Sequence, residues 1–162
     1  MVEAAKTKVA TWKDKMGRGF DENARRSLMI FDSSVWINFF RGVRSESTQL
    51  LDEQLLDYGA DVHLCPPIFQ EILQGLRSED NPESIKDLLM TSSLLQLDPY
   101  FVADNAAAIY RSLRTKGITI RKPNDCIIAF YAIHFNLVLV HSDFDFDKIA
   151  KHTALKVYNT KK

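Results

Sequence analysis

Asp32 closes the apolar run Met29-Ile30-Phe31 and is followed at once by two hydroxyls, Ser33 and Ser34. Asp143 stands shortly beyond a second apolar run, 137–140, after His141 and Ser142. Asp125 lies just past Pro123, and Glu71 lies about one turn into a stretch opened by Pro66-Pro67, proline being well suited to a first helical turn. In a parallel α/β sheet, ligands gather outside the carboxyl ends of the strands, and helix starts point at the same crevice. Carboxylates converging there repel one another unless a cation, protons or basic groups offset their charge. A hard divalent cation, Mg2+ or Mn2+, is the simplest solution because it prefers carboxylate and water oxygens. Such a site suits phosphodiester hydrolysis, since the metal lowers the pKa of a bound water and stabilises the leaving oxygen.

Each acid also has an ordinary reading. Asp32 and Asp125 suit the N-caps of the segments that follow them, and Glu71, beside Phe69 and Ile72, reads in isolation as a solvent-facing residue. In Asp143-Phe144-Asp145-Phe146-Asp147, at least one acid caps the next helix. The case for chemistry rests on the four positions together.

The elements that must position them follow from hydrophobic periodicity. Short apolar strands are expected at 29–31, 62–65, 94–97, 137–140 and 155–158. Between them lie helices over 47–58, from Pro66 to Leu76, from Asn81-Pro82 to about Met90, from Asp98-Pro99 to about Lys116, over 125–135 and near 144–151. Gly59 and Gly117 end two of these helices. Alternating apolar strands and helices imply an α/β fold, a three-layer α/β/α sandwich whose central parallel sheet has four to five strands. Trp36, Phe39 and Phe40 belong to its core or to a dimer interface, not to a base-stacking platform.

The 162 residues fit one domain, and 46% hydrophobic residues suffice for a core without disulfides. Cys65 and Cys126 lie in apolar runs without a C-x-x-C partner, as expected of a reduced, cytoplasmic protein. His63, His134, His141 and His152 show no metal-ligand spacing. No stretch is long and apolar enough for a membrane span. The 21 Lys plus Arg balance 21 Asp plus Glu, which excludes unspecific coating of nucleic acid. The balance is uneven along the chain: residues 1–28 carry seven basic and four acidic side chains, leaving 29–162 acidic. Val2, Ala5, Val9, Trp12 and Met16 form a helical stripe in this basic extension. The folded unit is therefore expected at 29–162, with Met29 an alternative start and 1–28 an extension of separate character.

Four blocks then carry a resemblance. Phe31-Asp32-Ser33-Ser34-Val35-Trp36-Ile37, Pro67-Ile68-Phe69-Gln70-Glu71-Ile72-Leu73-Gln74-Gly75, Gly117-Ile118-Thr119-Ile120-Arg121 through Asp125-Cys126-Ile127-Ile128-Ala129, and Asp143-Phe144-Asp145-Phe146 resemble the motif blocks of PIN-domain ribonucleases, above all the VapC toxins of toxin–antitoxin pairs. The resemblance implies that Asp32, Glu71, Asp125 and Asp143 form a metal-binding acidic cluster with Ser34 as a supporting hydroxyl. It further implies a Mg2+- or Mn2+-dependent endoribonuclease, homodimeric and inhibited by a cognate antitoxin. The chain departs from the family pattern where Ser33 replaces the usual Thr and where His141 stands at a position often held by Thr; the latter makes Asp145 a substitute ligand candidate. Arg121, Lys122 and Arg41 are candidates for holding RNA phosphates beside the acids, and Arg44 is as readily surface charge. The basic extension, with Trp12, Arg18, Phe20, Arg25 and Arg26, offers groups that would dock on the acidic crevice or on a partner; an upstream start or a plain tail is the simpler reading.

Competing assignments meet specific obstacles. A phosphotransfer receiver lacks the required spacing between Asp98 and Lys122, and an aspartyl-phosphate phosphatase needs its D-x-D after the first strand. Asp143–Asp147 is no calcium loop, since Lys148 and Ala154 occupy the Gly and Glu positions, and no G-x-G-x-x-G or P-loop motif exists. A catalytically silent RNA-binding or dimerisation module of the same fold is the non-enzymatic alternative.

Overall fold

A computed structural model describes residues 28–58 and 62–158. In chain order the elements are β1 (Met29–Phe31), α1 (Ser33–Phe40), α2 (Glu46–Tyr58), β2 (Val62–Leu64), α3 (Pro66–Gln74), α4 (Pro82–Leu89), β3 (Ser93–Leu94), α5 (Pro99–Thr115), α6 (Pro123–His134), β4 (Val138–Val140), α7 (Phe144–His152) and β5 (Lys156–Val157). The helical stripe from Val2 to Met16 and the Gly59 stop lie outside the described residues.

The strands pair in parallel in the order β3-β2-β1-β4-β5. From β1 the chain builds outward through β2 to β3, then returns to place β4 and β5 on the other side. Met29 thus faces Val62 on one flank and Val138 on the other. The order reverses between β1 and β4, and such a reversal opens a crevice at the carboxyl ends of the two strands. The Asp32 N–H bonds the Val140 carbonyl at 2.9 Å and ties those ends together.

β1 shows no inside-outside alternation because it is covered on both faces: Met29, Ile30 and Phe31 are all buried. Each side chain of this size contributes roughly 1.5–3 kcal/mol when taken fully from water. Val35 and Trp36 of α1, Ile68 and Ile72 of α3, and Ile128 and Ala129 of α6 complete the covering layers. Trp36 is fully buried with its ring stacked on Phe40 at 5.9 Å, which puts it in the core.

The helix starts carry the site, and each has a local cause. Asp32 caps α1 through Ser34 N–H, Asp98 caps α5 through Phe101 N–H, and Asp143 caps α7 through Asp145 N–H. Proline opens α3, α4, α5 and α6, where its missing N–H costs nothing. Gly117, at φ +74°, ends α5: its N–H reaches Arg114 O and that of Ile118 reaches Leu113 O, both at 3.0 Å. This turn aims the segment 118–122 back at the crevice.

Four strands are shorter than the apolar runs imply: β4 begins at Val138 and not at 137, and β5 spans Lys156–Val157 and not 155–158. Cys65 leaves β2 to become the N-cap of α3. At the sheet edge, β3 spans Ser93–Leu94 and not 94–97; Leu95 still bonds Leu64 O at 2.8 Å before the chain turns into the Asp98 cap. No helix among the described residues is long and apolar enough to cross a membrane.

Candidate functional site

Asp32 and Asp143 leave the adjacent strands β1 and β4, Asp125 enters from the first turn of α6, and Glu71 from α3. Asp32 is buried, and its Oδ2 accepts Ser34 N–H at 3.1 Å and Ser34 Oγ–H at 2.6 Å. Burial raises its pKa, the Glu71 charge adds to the rise, and the Ser34 bonds oppose it.

Glu71 is held at both oxygens. Ser33 Oγ donates to Oε2 at 2.6 Å and Asn124 Nδ2 donates to Oε1 at 2.9 Å. The two consecutive hydroxyls therefore serve different carboxylates: Ser34 orients Asp32, as the resemblance implies, while Ser33 reaches across to α3. Neither Ser33 nor Asn124 was marked by sequence as a partner of Glu71. The available signal was that both are small polar residues directly beside an acid that starts a helix.

Asp125 is buried with Oδ2 lacking any hydrogen-bond partner. Burial, followed by the charges of Asp32, Asp143 and Asp145, pushes its pKa up to about 7 against the pull of Lys122. A buried carboxylate oxygen with no donor and like charges around it is an unmet demand for positive charge.

Asp143 is more accessible. Its Oδ1 accepts Asp145 N–H at 3.0 Å and Arg121 Nη2–H at 2.7 Å, and Lys122 Nζ lies 3.7 Å from Oδ2. Asp145 is fully enclosed. Its Oδ2 accepts both the backbone N–H and the Nε–H of Arg121 at 3.0 Å, and its Oδ1 accepts Lys148 Nζ at 2.6 Å. Burial alone would raise the Asp145 pKa, yet the Lys148 and Arg121 bonds prevail and hold it at about 2. Lys148, three residues beyond Asp145 on α7, is the other participant that sequence reading passed over.

Among the described residues, no three Asp, Glu, His or Cys side chains already form a metal-ligating group. Hydroxyls hold Asp32 and Glu71, an amide also holds Glu71, and the Arg121 guanidinium is shared between Asp143 and Asp145, while Asp125 Oδ2 has no partner. Arg121 and Lys122 lie at this cluster, whereas Arg41 caps the far end of α1, roughly 13 Å along the helix from Asp32. His141 is buried next to the site, and burial lowers its pKa against the pull of Asp147, 3.8 Å from Nε2. Cys65 and Cys126 are buried, free thiols whose pKa values burial pushes up to about 12 and about 11, so neither is a nucleophile at neutral pH.

A PIN domain family model matches residues 29–152, from β1 to the end of α7. The chain belongs to the PIN-domain family. Within that family it is 34% identical over 129 residues to ribonuclease VapC11 of Mycobacterium tuberculosis, covering 80% of this chain and 96% of the relative. A VapC ribonuclease of Mycobacterium bovis matches over the same length with the same identity. The fold is also that of VapBC2 from Rickettsia felis, solved bound to a DNA fragment from their promoter, with TM-score 0.63 and 13% identity over 82% of this chain and 98% of the other. VapBC-1 of nontypeable Haemophilus influenzae has TM-score 0.58 and 17% identity over 81% of this chain and 96% of that one. This PIN-domain chain thus has the five-stranded parallel α/β architecture read from its sequence, and VapC ribonucleases are its relatives.

Proposed function

We propose that this PIN-domain chain is a VapC-type endoribonuclease, the toxin of a toxin–antitoxin pair, which hydrolyses RNA phosphodiester bonds with a divalent cation in the crevice between β1 and β4. The observation that carries the reading is Asp125: a buried, donor-free carboxylate oxygen beside Asp32, in a family of ribonucleases. All-oxygen donors suit Mg2+, with Mn2+ as a substitute. Asp32, Asp125, Glu71 and Asp143 would hold the ion. When bound, it supplies Lewis-acid polarisation of the phosphate and a water of lowered pKa.

The remaining work falls to the protein. Ser34 fixes the rotamer of Asp32, and Ser33 with Asn124 fixes Glu71, so these carboxylates are oriented before any ligand arrives. Arg121 and Lys122 are two-thirds exposed and present their charges beside Asp143, where a phosphate must approach an otherwise acidic crevice. Asp145 is left out of the ligand set, because Arg121 and Lys148 occupy both its oxygens. Arg41 is likewise left out of the RNA contacts on account of its distance along α1.

By analogy with the VapBC complexes, the chain acts in the cytoplasm as a homodimer restrained by a VapB-type antitoxin, and residues 29–162 carry the activity. Purified chain incubated with RNA and Mg2+ or Mn2+ should generate discrete ends that sequencing can map. Excess EDTA, or Asp32→Asn, should abolish them. Undiminished cleavage under either condition would overturn the mechanism.

A further inference from the structure

Between Asp104 and Asp125 the chain contains no carboxylate side chain, yet it holds five cations: Arg111, Arg114, Lys116, Arg121 and Lys122. All five are exposed. Arg111 and Arg114 are three residues apart on α5, which makes them neighbours on its surface, and Lys116 is the C-cap of that helix. α5 and α6 run antiparallel. Near the start of α5 the Phe101 ring lies 5.8 Å from that of His134 at the end of α6, while Arg111, almost three turns on, shares the wall of a small cavity with Pro123 at the start of α6. The first turn of α6 carries Asp125 into the crevice, so the C-terminal end of α5 lies at that end of the molecule as well. After the Gly117 turn, the segment 118–122 brings Arg121 and Lys122 to Asp143. The five cations therefore gather at the crevice end of the fold.

Helix stability accounts for only part of this pattern. Cations near a helix C-terminus complement the macrodipole, which covers Arg114 and Lys116. Arg111 precedes the last turn, and Lys122 is the N-cap of α6, where the dipole opposes positive charge. Among the described residues Arg111, Arg114 and Lys116 form no ion pair, in contrast to Lys86 with Glu83 and Lys148 with Asp145. Cations left without carboxylates at the mouth of a phosphodiester site suit a polyanion, since each phosphate they neutralise releases counterions and no base need be read. We propose that this surface, from Arg111 through Arg114 and Lys116 to Arg121 and Lys122, binds the sugar-phosphate backbone of the RNA strand that enters the crevice. Arg121 and Lys122 hold the phosphates next to the acids, and the three cations of α5 hold those farther along the strand. The inference rests on the ribonuclease reading for the identity of the polyanion, and adds the side from which the strand arrives.

The test uses the full chain carrying Asp32→Asn, in EDTA so that RNA stays uncut. It is titrated with a labelled single-stranded RNA of about 16 nucleotides over a range of salt concentrations, binding being read by fluorescence anisotropy. Adding Arg111→Gln, Arg114→Gln and Lys116→Gln should lower the slope of log affinity against log salt by about two, because each phosphate contact to a single strand contributes about 0.7. Arg111→Lys/Arg114→Lys, which keeps the charges, should retain the parent slope. Lys86→Gln/Lys151→Gln/Lys156→Gln removes as much charge from α4, α7 and β5 and should also leave the slope unchanged. A slope unaltered by the first triple variant, or lowered equally by both, would overturn the track. Displacement of the RNA by polyglutamate at equal concentration would assign the surface to an acidic polypeptide and overturn it too. RNA cleavage by the parent chain beside an unaltered slope would leave the ribonuclease reading standing. A lowered slope with a parent chain that cuts no RNA would support the track and overturn that reading, and absence of both binding and cleavage would overturn both.

Discussion

Arg121 and Asp145, 24 residues apart, are locked by two hydrogen bonds at 3.0 Å to one carboxylate oxygen, one from the Arg121 backbone and one from its Nε. The loop before α6 is thereby fastened to the first turn of α7, and the free edge of the guanidinium is delivered to Asp143 at 2.7 Å. A lysine could not do this, since it has no fork with which to hold one carboxylate and present donors to another. Asp145 is thus a buried anchor for a charge that works at the surface.

Asp145→Asn should cost about 2 kcal/mol at pH 7, because its pKa of about 2 lies below the ordinary 3.8. The contribution is fully present above about pH 4 and is lost as the pH falls through about 2. Urea unfolding should therefore show parent and variant converging towards the acid end of this window. Arg121→Lys should lower RNA affinity while leaving the fold intact.

Asp125 has the opposite linkage. Its pKa is raised to about 7, so the folded state retains a proton that the unfolded chain releases near pH 4, and stability falls as the pH rises between these values. Asp125→Asn mimics the protonated form. Without divalent cations at pH 8, the variant should be more stable than the parent by up to about 4 kcal/mol, while its nuclease activity is lost. Thermal unfolding read beside an RNA cleavage assay separates these effects.

Cation binding should follow from the same charge. Mn2+ or Mg2+ must displace the Asp125 proton below about pH 7, so the cation-induced rise in Tm should be larger at pH 8 than at pH 6. The rise should be absent in Asp125→Asn. An equal rise in parent and variant would place the ion elsewhere.

Ser33→Ala removes the donor from Glu71 Oε2 and leaves that carboxylate held by Asn124 alone. Loss of such an orienting partner typically weakens metal binding by about 10- to 100-fold. Ser33→Thr retains the hydroxyl and should preserve both cation affinity and cleavage, as titration calorimetry and a cleavage assay can establish.

Residues 1–28 precede the segment that the family model matches. A chain beginning at Met29 should cleave RNA at the rate of the full chain. A faster rate would reveal inhibition by the basic extension.

The strands and the acids were legible in sequence because each depends on short-range rules. Met29–Phe31 is apolar throughout since the strand is covered on both faces, and Asp32, Asp125 and Asp143 sit at the helix starts that Pro123 and the strand ends announce. The helix α1 was harder to see, because Trp36, Phe39 and Phe40 read equally as a core cluster or an interface until packing placed Trp36 fully inside. The short β3 reflects an edge position that no local pattern encodes.

Sequence alone thus determined the layer order, the parallel sheet and the crevice at which carboxylates would gather. Only tertiary structure decided how they divide the available partners: Ser33 and Asn124 on Glu71, Ser34 on Asp32, Arg121 shared between Asp143 and Asp145, and nothing on Asp125 Oδ2. Periodicity specifies which face a side chain occupies, whereas hydrogen-bond pairing across 24, 38 or 53 residues depends on ångström-scale distances set by the packing of whole helices.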